Sequence, residues 1–70
     1  MLTPTILLVD DDQSHAMLLQ RAFKKSSLPH SIQVVLDGDA AVDYLSGQGK
    51  YVDRKSYPSP VLVLLDLRLP

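Results

Sequence analysis

Val61-Leu62-Val63-Leu64-Leu65-Asp66-Leu67-Arg68-Leu69-Pro70 is the most informative stretch of this chain. Five apolar residues run unbroken into one carboxylate. The run is too short for a membrane span and suits a strand buried on both faces. Asp66 falls where that strand leaves the sheet, and Pro70 cannot extend a central strand, so the chain turns there. Ligand-binding and catalytic groups of open parallel sheets lie at the carboxyl ends of strands. Asp66 is therefore a candidate for chemistry. The competing reading is an aspartate that ends the strand and caps a turn.

A second continuous apolar run, Thr5-Ile6-Leu7-Leu8-Val9, also reads as a covered strand, and it ends in Asp10-Asp11-Asp12. Three adjacent carboxylates repel one another unless something positive sits among them. Such hard oxygen donors suit Mg²⁺ or Mn²⁺. The alternative is a solvated loop, and Asp12 can serve as a helix N-cap in either case.

Between the two runs the periodicity is mixed. Gln13 to Ser26 has helical spacing, with Leu18 and Ala22, Leu19 and Phe23, and Ala16 on the apolar stripe. Gln20, Arg21, Lys24 and Lys25 are expected to face water, and the two lysines suit the negative end of the helix dipole. Ser26-Ser27-Leu28-Pro29 stops the helix. His15 falls in its first turn and reads as a surface residue; His30 has no assigned role. Ser31 to Leu36 alternates in part and reads as an edge strand. Asp37-Gly38-Asp39 makes a turn and cap, Ala40 to Leu45 builds a short helix, and Gly47 and Gly49 end it. Gly47-Gln48-Gly49-Lys50 lacks the spacing of a phosphate loop and follows a helix, so that reading is rejected. Lys50 to Pro60 is a polar connection, long for a link between helix and strand.

Composition narrows the class. Seventy residues make at most one small domain, and 46% of them are hydrophobic, so a disordered tail is excluded. Seven Lys and Arg against eight acids, all of them Asp, give a net charge of -1 and no basic face for nucleic acid. With no Cys, disulfides, thiolate metal sites and cysteine nucleophiles are excluded. No apolar stretch approaches the ~20 residues of a membrane span, and no signal pattern opens the chain. A cytoplasmic protein without membrane contact is the expectation.

The order β-α-β-α-β with apolar strands predicts an α/β fold with a parallel sheet and right-handed crossovers. The first and third strands read as central and the second as an edge, so the expected strand order is 2-1-3. This is part of a flavodoxin-like, doubly wound sheet. Asp10, Asp11 and Asp66 then come from the ends of adjacent strands, about 5 Å apart. The two carboxylate signals meet, and a metal site is favoured.

Ile6-Leu7-Leu8-Val9-Asp10-Asp11 and Leu64-Leu65-Asp66-Leu67-Arg68-Leu69-Pro70 resemble the receiver domain (CheY-like) of two-component response regulators. Leu28-Pro29-His30, Asp37-Gly38, Tyr44-Leu45 and the long loop with Tyr51 resemble the small stand-alone receivers that serve phytochrome-type histidine kinases. The resemblance implies that Asp66 is the phosphoacceptor for a sensor histidine kinase. It implies Mg²⁺ bound by Asp11, by Asp10 through water, by Asp66 and by the backbone carbonyl of Arg68. It implies a signalling domain rather than an enzyme, acting in a phosphorelay, with self-phosphotransfer only in the intact domain.

The family continues past the proline with two further βα units, which carry a Ser/Thr and a Lys that contact the phosphoryl group. None of Lys24, Lys25, Lys50 and Lys55 ends an apolar strand, so residues 1–70 are expected to be the N-terminal portion of a receiver. The chain alone is expected to self-associate. A phosphorylation-independent interaction module on the same half-fold is the alternative. A metal-dependent phosphatase or nuclease is a third reading, and it calls for an acid-base residue where Arg68 stands.

Overall fold

A computed structural model describes residues 3–26 and 29–66, except for the side chain of Asp66. Three parallel strands lie in the order β2-β1-β3: β1 is Thr5–Asp10, β2 is Ser31–Val35 and β3 is Leu62–Asp66. Helix α1 spans Gln13–Lys25 and α2 spans Gly38–Ser46, with a 3-10 turn at Gly49–Tyr51. The expected order is observed.

The central place of β1 follows from its sequence. All six of its residues are buried, and the four between Thr5 and Asp10 are apolar, as a strand covered on both faces requires. Successive side chains alternate between the faces. Leu7 and Val9 join Val35, Ala41, Tyr44 and Tyr51 in one core. Ile6, Leu8 and Asp10 belong to the other face, where α1 packs against β1.

Both helices are capped by aspartate. Asp12 accepts from the backbone N–H of His15 at 3.1 Å, and Asp37 from that of Ala40 at 2.7 Å. Such caps satisfy N–H groups that have no partner inside the helix. Gly47 ends α2 in the left-handed region at φ 66°, where a Cβ is disfavoured.

Four expectations need correction. Leu18 and Ala22 are exposed; the inward stripe of α1 is Ala16, Leu19, Gln20 and Phe23, and Gln20 is half-buried instead of facing water. The four-residue spacing of Leu18 and Ala22 was real, but their row is turned about one residue away from the sheet. Leu36 lies beyond β2 and is exposed, whereas Val35 on the opposite face is buried. The second core strand, β3, is not covered on both faces. Leu62, Val63 and Leu65 are exposed, and β3 pairs only with β1 among the described residues.

The fourth correction is the connection after α2. It is packed, not merely polar. The rings of Tyr44, Tyr51 and Tyr57 meet with centroids 5.0 to 6.0 Å apart, two of the pairs edge to face. The Tyr44 hydroxyl donates to the Pro58 carbonyl at 2.8 Å. Arg54 donates from Nη1 to the carbonyls of Tyr44 and Tyr51 and from Nη2 to Ser59 Oγ, with its guanidinium 5.5 Å from the Tyr44 ring centre. The Asp53 carboxylate accepts from Lys55 N and Ser56 Oγ, and these bonds, the backbone one foremost, hold its pKa below the usual carboxylate value. The loop thus delivers the chain to β3 at a fixed place, where Val61 N donates to Thr5 O at 2.8 Å.

Candidate functional site

The site begins with a register. Ile6 to Asp10 pair with Leu62 to Asp66 in parallel, and the last pair is Asp10 with Asp66. Two aspartates thus stand side by side at the carboxyl ends of neighbouring strands, where parallel sheets bind ligands. β1 supplies Asp10 because its apolar run ends there; β3 supplies Asp66 for the same reason.

Asp10 is fully buried, with 0% exposure. A buried carboxylate is costly unless hydrogen bonds compensate it. Its Oδ1 accepts from Asp12 N at 2.9 Å, and its Oδ2 lies 2.7 Å from His15 Nδ1. An ionised carboxylate can only accept, so Nδ1 is assigned the proton. Because His15 N also donates to Asp12 Oδ1, three bonds close a ring through Asp10, Asp12 and His15. Asp11, the next residue beyond the strand, is exposed.

Of the four expected site residues, Asp10 and Asp11 are adjacent, and the backbone of Asp66 is paired with Asp10. The Asp66 side chain and all of Arg68 lie outside the described residues. Among the described residues no group of three His, Cys, Asp or Glu side chains is set to hold a metal ion. The donor set nonetheless fits a hard divalent cation: Asp10 and Asp11 offer only oxygens, and Asp10 is held in place by two donors.

His15 is the residue that the sequence reading missed. A lone histidine in a helix's first turn gives little signal. What could have found it is its place three residues after the N-cap, which brings its side chain back to the strand end.

The lysines lie elsewhere. Lys24 and Lys25 occupy the last turn of α1, Lys50 the 3-10 turn and Lys55 the loop that follows.

No protein-family model matches the chain. Response regulator Rcp1 of Synechocystis sp. is 42% identical over 65 residues, which covers 93% of this chain and 42% of Rcp1. Probable methanogenesis regulatory protein FilR2 of Methanothrix harundinacea is 46% identical over 68 residues, covering 93% of this chain and 39% of FilR2. The chain thus spans about two-fifths of the curated relatives it matches. Among solved structures, response regulator RPA3017 in red light signaling of R. palustris superposes with a TM-score of 0.83 at 33% identity, over 90% of this chain and 44% of that one. The phosphorylated cyanobacterial phytochrome response regulator RcpA gives 0.79 at 38% identity, over 99% and 47%. The three parallel strands in order 2-1-3, with helices between them, are part of a CheY-like receiver fold.

Proposed function

We propose that this chain, a homologue of response regulators over nearly all its length, is part of a receiver domain that accepts a phosphoryl group on Asp66. The observation that carries the reading is the register pairing of Asp10 with Asp66 at the ends of β1 and β3. It brings the backbone of the expected phosphoacceptor beside two carboxylates of β1 and the loop after it. The donor is a phosphohistidine of a sensor histidine kinase, of phytochrome type by the likeness to RcpA.

In the transfer, a carboxylate oxygen of Asp66 attacks phosphorus. The O–P bond forms as the N–P bond breaks, and the leaving imidazole takes up a proton. A divalent cation, expected to be Mg²⁺, would be held by Asp10, Asp11, Asp66 and the carbonyl of Arg68. When bound, it offsets repulsion between carboxylate and phosphoryl group and stabilises charge in the transition state. Asp10 contributes a fixed, buried acceptor, and exposed Asp11 is reached from solvent. The Ser/Thr and Lys partners belong, on this reading, to a part of the receiver beyond residues 1–70.

The test uses the full-length protein that contains these residues. A cognate kinase or acetyl phosphate is expected to label it in the presence of Mg²⁺, and Asp66→Asn to abolish labelling, because an amide is a poor nucleophile. Undiminished labelling of Asp66→Asn would overturn the assignment. No labelling of the wild type by either donor would favour an interaction module on the same fold.

A further inference from the structure

We infer that His15 is a positioning residue for the cation site: by donating from Nδ1 to Asp10 it holds that carboxylate in one orientation and so sets the affinity for a divalent cation. The inference rests on the reading of Asp11 as a direct cation ligand and of Asp10 as one that reaches the cation through water.

Asp10 is buried and bound through both oxygens, at 2.9 Å by the backbone of Asp12 and at 2.7 Å by the imidazole. The backbone bond comes from two residues away, at the N-cap of α1. The imidazole bond comes from α1, an element packed against β1. It ties the carboxylate to the helix through a side chain. A bond to each oxygen constrains how the carboxylate can turn.

Donors placed behind a ligating carboxylate fix its rotamer before the cation arrives, and losing one typically costs about 10–100-fold in affinity. His15 can occupy this place because Asp12 caps α1 through His15 N at 3.1 Å, which fixes the start of the helix relative to the strand end. The ring of three bonds thus couples the helix cap to the candidate site.

The rival account is that His15 only stabilises the helix start. Side-chain replacements separate the two. Asn carries its amide nitrogen one bond beyond Cγ, where the imidazole has Nδ1, and can donate to the same oxygen. Gln carries its nitrogen one bond farther, and Leu fills space without donating.

In the full-length protein, Mn²⁺ and Mg²⁺ affinities are measured by calorimetric titration at one pH for wild type, Asp11→Ala, His15→Leu, His15→Gln and His15→Asn. Unfolding without metal is followed alongside. His15→Leu and His15→Gln are expected to bind about tenfold or more weakly, and His15→Asn close to wild type. If His15→Leu does not fold, the comparison of Gln with Asn decides. Wild-type affinity in the Gln or Leu variant, or an Asn variant as weak as Gln, overturns the positioning role. If wild type binds and Asp11→Ala does not, that result leaves the cation reading standing. A wild type that binds neither ion overturns both.

Discussion

The imidazole Nδ1 of His15 lies 2.7 Å from Oδ2 of Asp10, and this bond ties the first turn of α1 to the buried end of β1. The geometry depends on where α1 starts, which Asp12 decides. Removing a side-chain cap typically costs about 1 kcal/mol. Asp12→Ala is therefore expected to lose about that much stability in denaturant titration. Asp12→Asn retains the acceptor and is expected to lose far less. Equal losses in both variants would show that the cap bond to His15 N is not what matters.

The two β1-end carboxylates differ in setting, and the difference predicts unequal roles. Asp10 is buried and engaged by Asp12 and His15, whereas Asp11 is exposed. If Asp11 meets the cation directly and Asp10 does so through water, Asp11→Ala weakens Mg²⁺ binding more than Asp10→Ala. Isothermal titration of the two variants checks this; an unchanged affinity in Asp11→Ala would remove Asp11 from the ligand set.

Tyr44 gives a prediction for alkaline pH. Burial raises its pKa above the ordinary value of about 10, and the charge of Arg54 opposes the rise. A group whose pKa is raised by folding contributes stability that is complete below its unfolded value. The contribution is lost as pH climbs through the folded value. Stability is thus expected to fall above about pH 10. Tyr44→Phe should flatten that fall, at a cost near neutral pH of about 1 kcal/mol for the lost bond to the Pro58 carbonyl. An unchanged alkaline profile in Tyr44→Phe would assign the fall to other groups.

Gly47 tests the loop from the other side. Its φ is 66°, and a Cβ there would stand 3.3 Å from Arg54 Nη1. A left-handed residue with a side chain costs about 1–2 kcal/mol. The crowding also presses on the guanidinium that donates to Tyr44 O. Gly47→Ala is expected to destabilise by at least that amount in a denaturant titration, and a neutral result would show that the turn can relax.

The strands and the site frame were legible because they depend on local runs. Ile6 to Val9 and Val61 to Leu65 are apolar without interruption, and each run leads into aspartate, so strand order and the meeting of Asp10 with Asp66 follow from pattern and topology. Features made by side chains reaching across the chain were not legible. His15 binds a residue five positions back across a cap, which no helical or strand period encodes. Tyr51, Arg54 and Tyr57 sit in a segment without periodicity, and their packing exists only once α2 and the sheet are in place. Leu18 shows the limit of spacing itself: a four-residue repeat defines a row on a helix, but the sheet decides which row is buried.

The exposed side of β3 predicts how residues 1–70 behave as an isolated peptide. Val61 is 69% exposed, Leu62 48%, Val63 37% and Leu65 71%. Val63 and Leu65 share one face while Leu62 lies on the other, so neither face of the strand hides its apolar atoms. Its outer edge has no partner among the described residues, and an apolar edge with unpaired N–H and C=O groups is a template for another strand. Covering a few hundred Å² of apolar surface yields several kcal/mol at ~25 cal/mol per Å². That is comparable with the ~5–15 kcal/mol that stabilises a typical domain. The isolated peptide is therefore expected to associate through β3 at micromolar concentration, or to lack a cooperative melt. Lysine at an edge opposes such pairing. Leu65→Lys should accordingly shift sedimentation toward monomer, without restoring a cooperative melt if one is absent. A peptide that sediments as monomer at every concentration, with a cooperative melt by circular dichroism, would show that β1, α1 and α2 hold the fold without cover for β3.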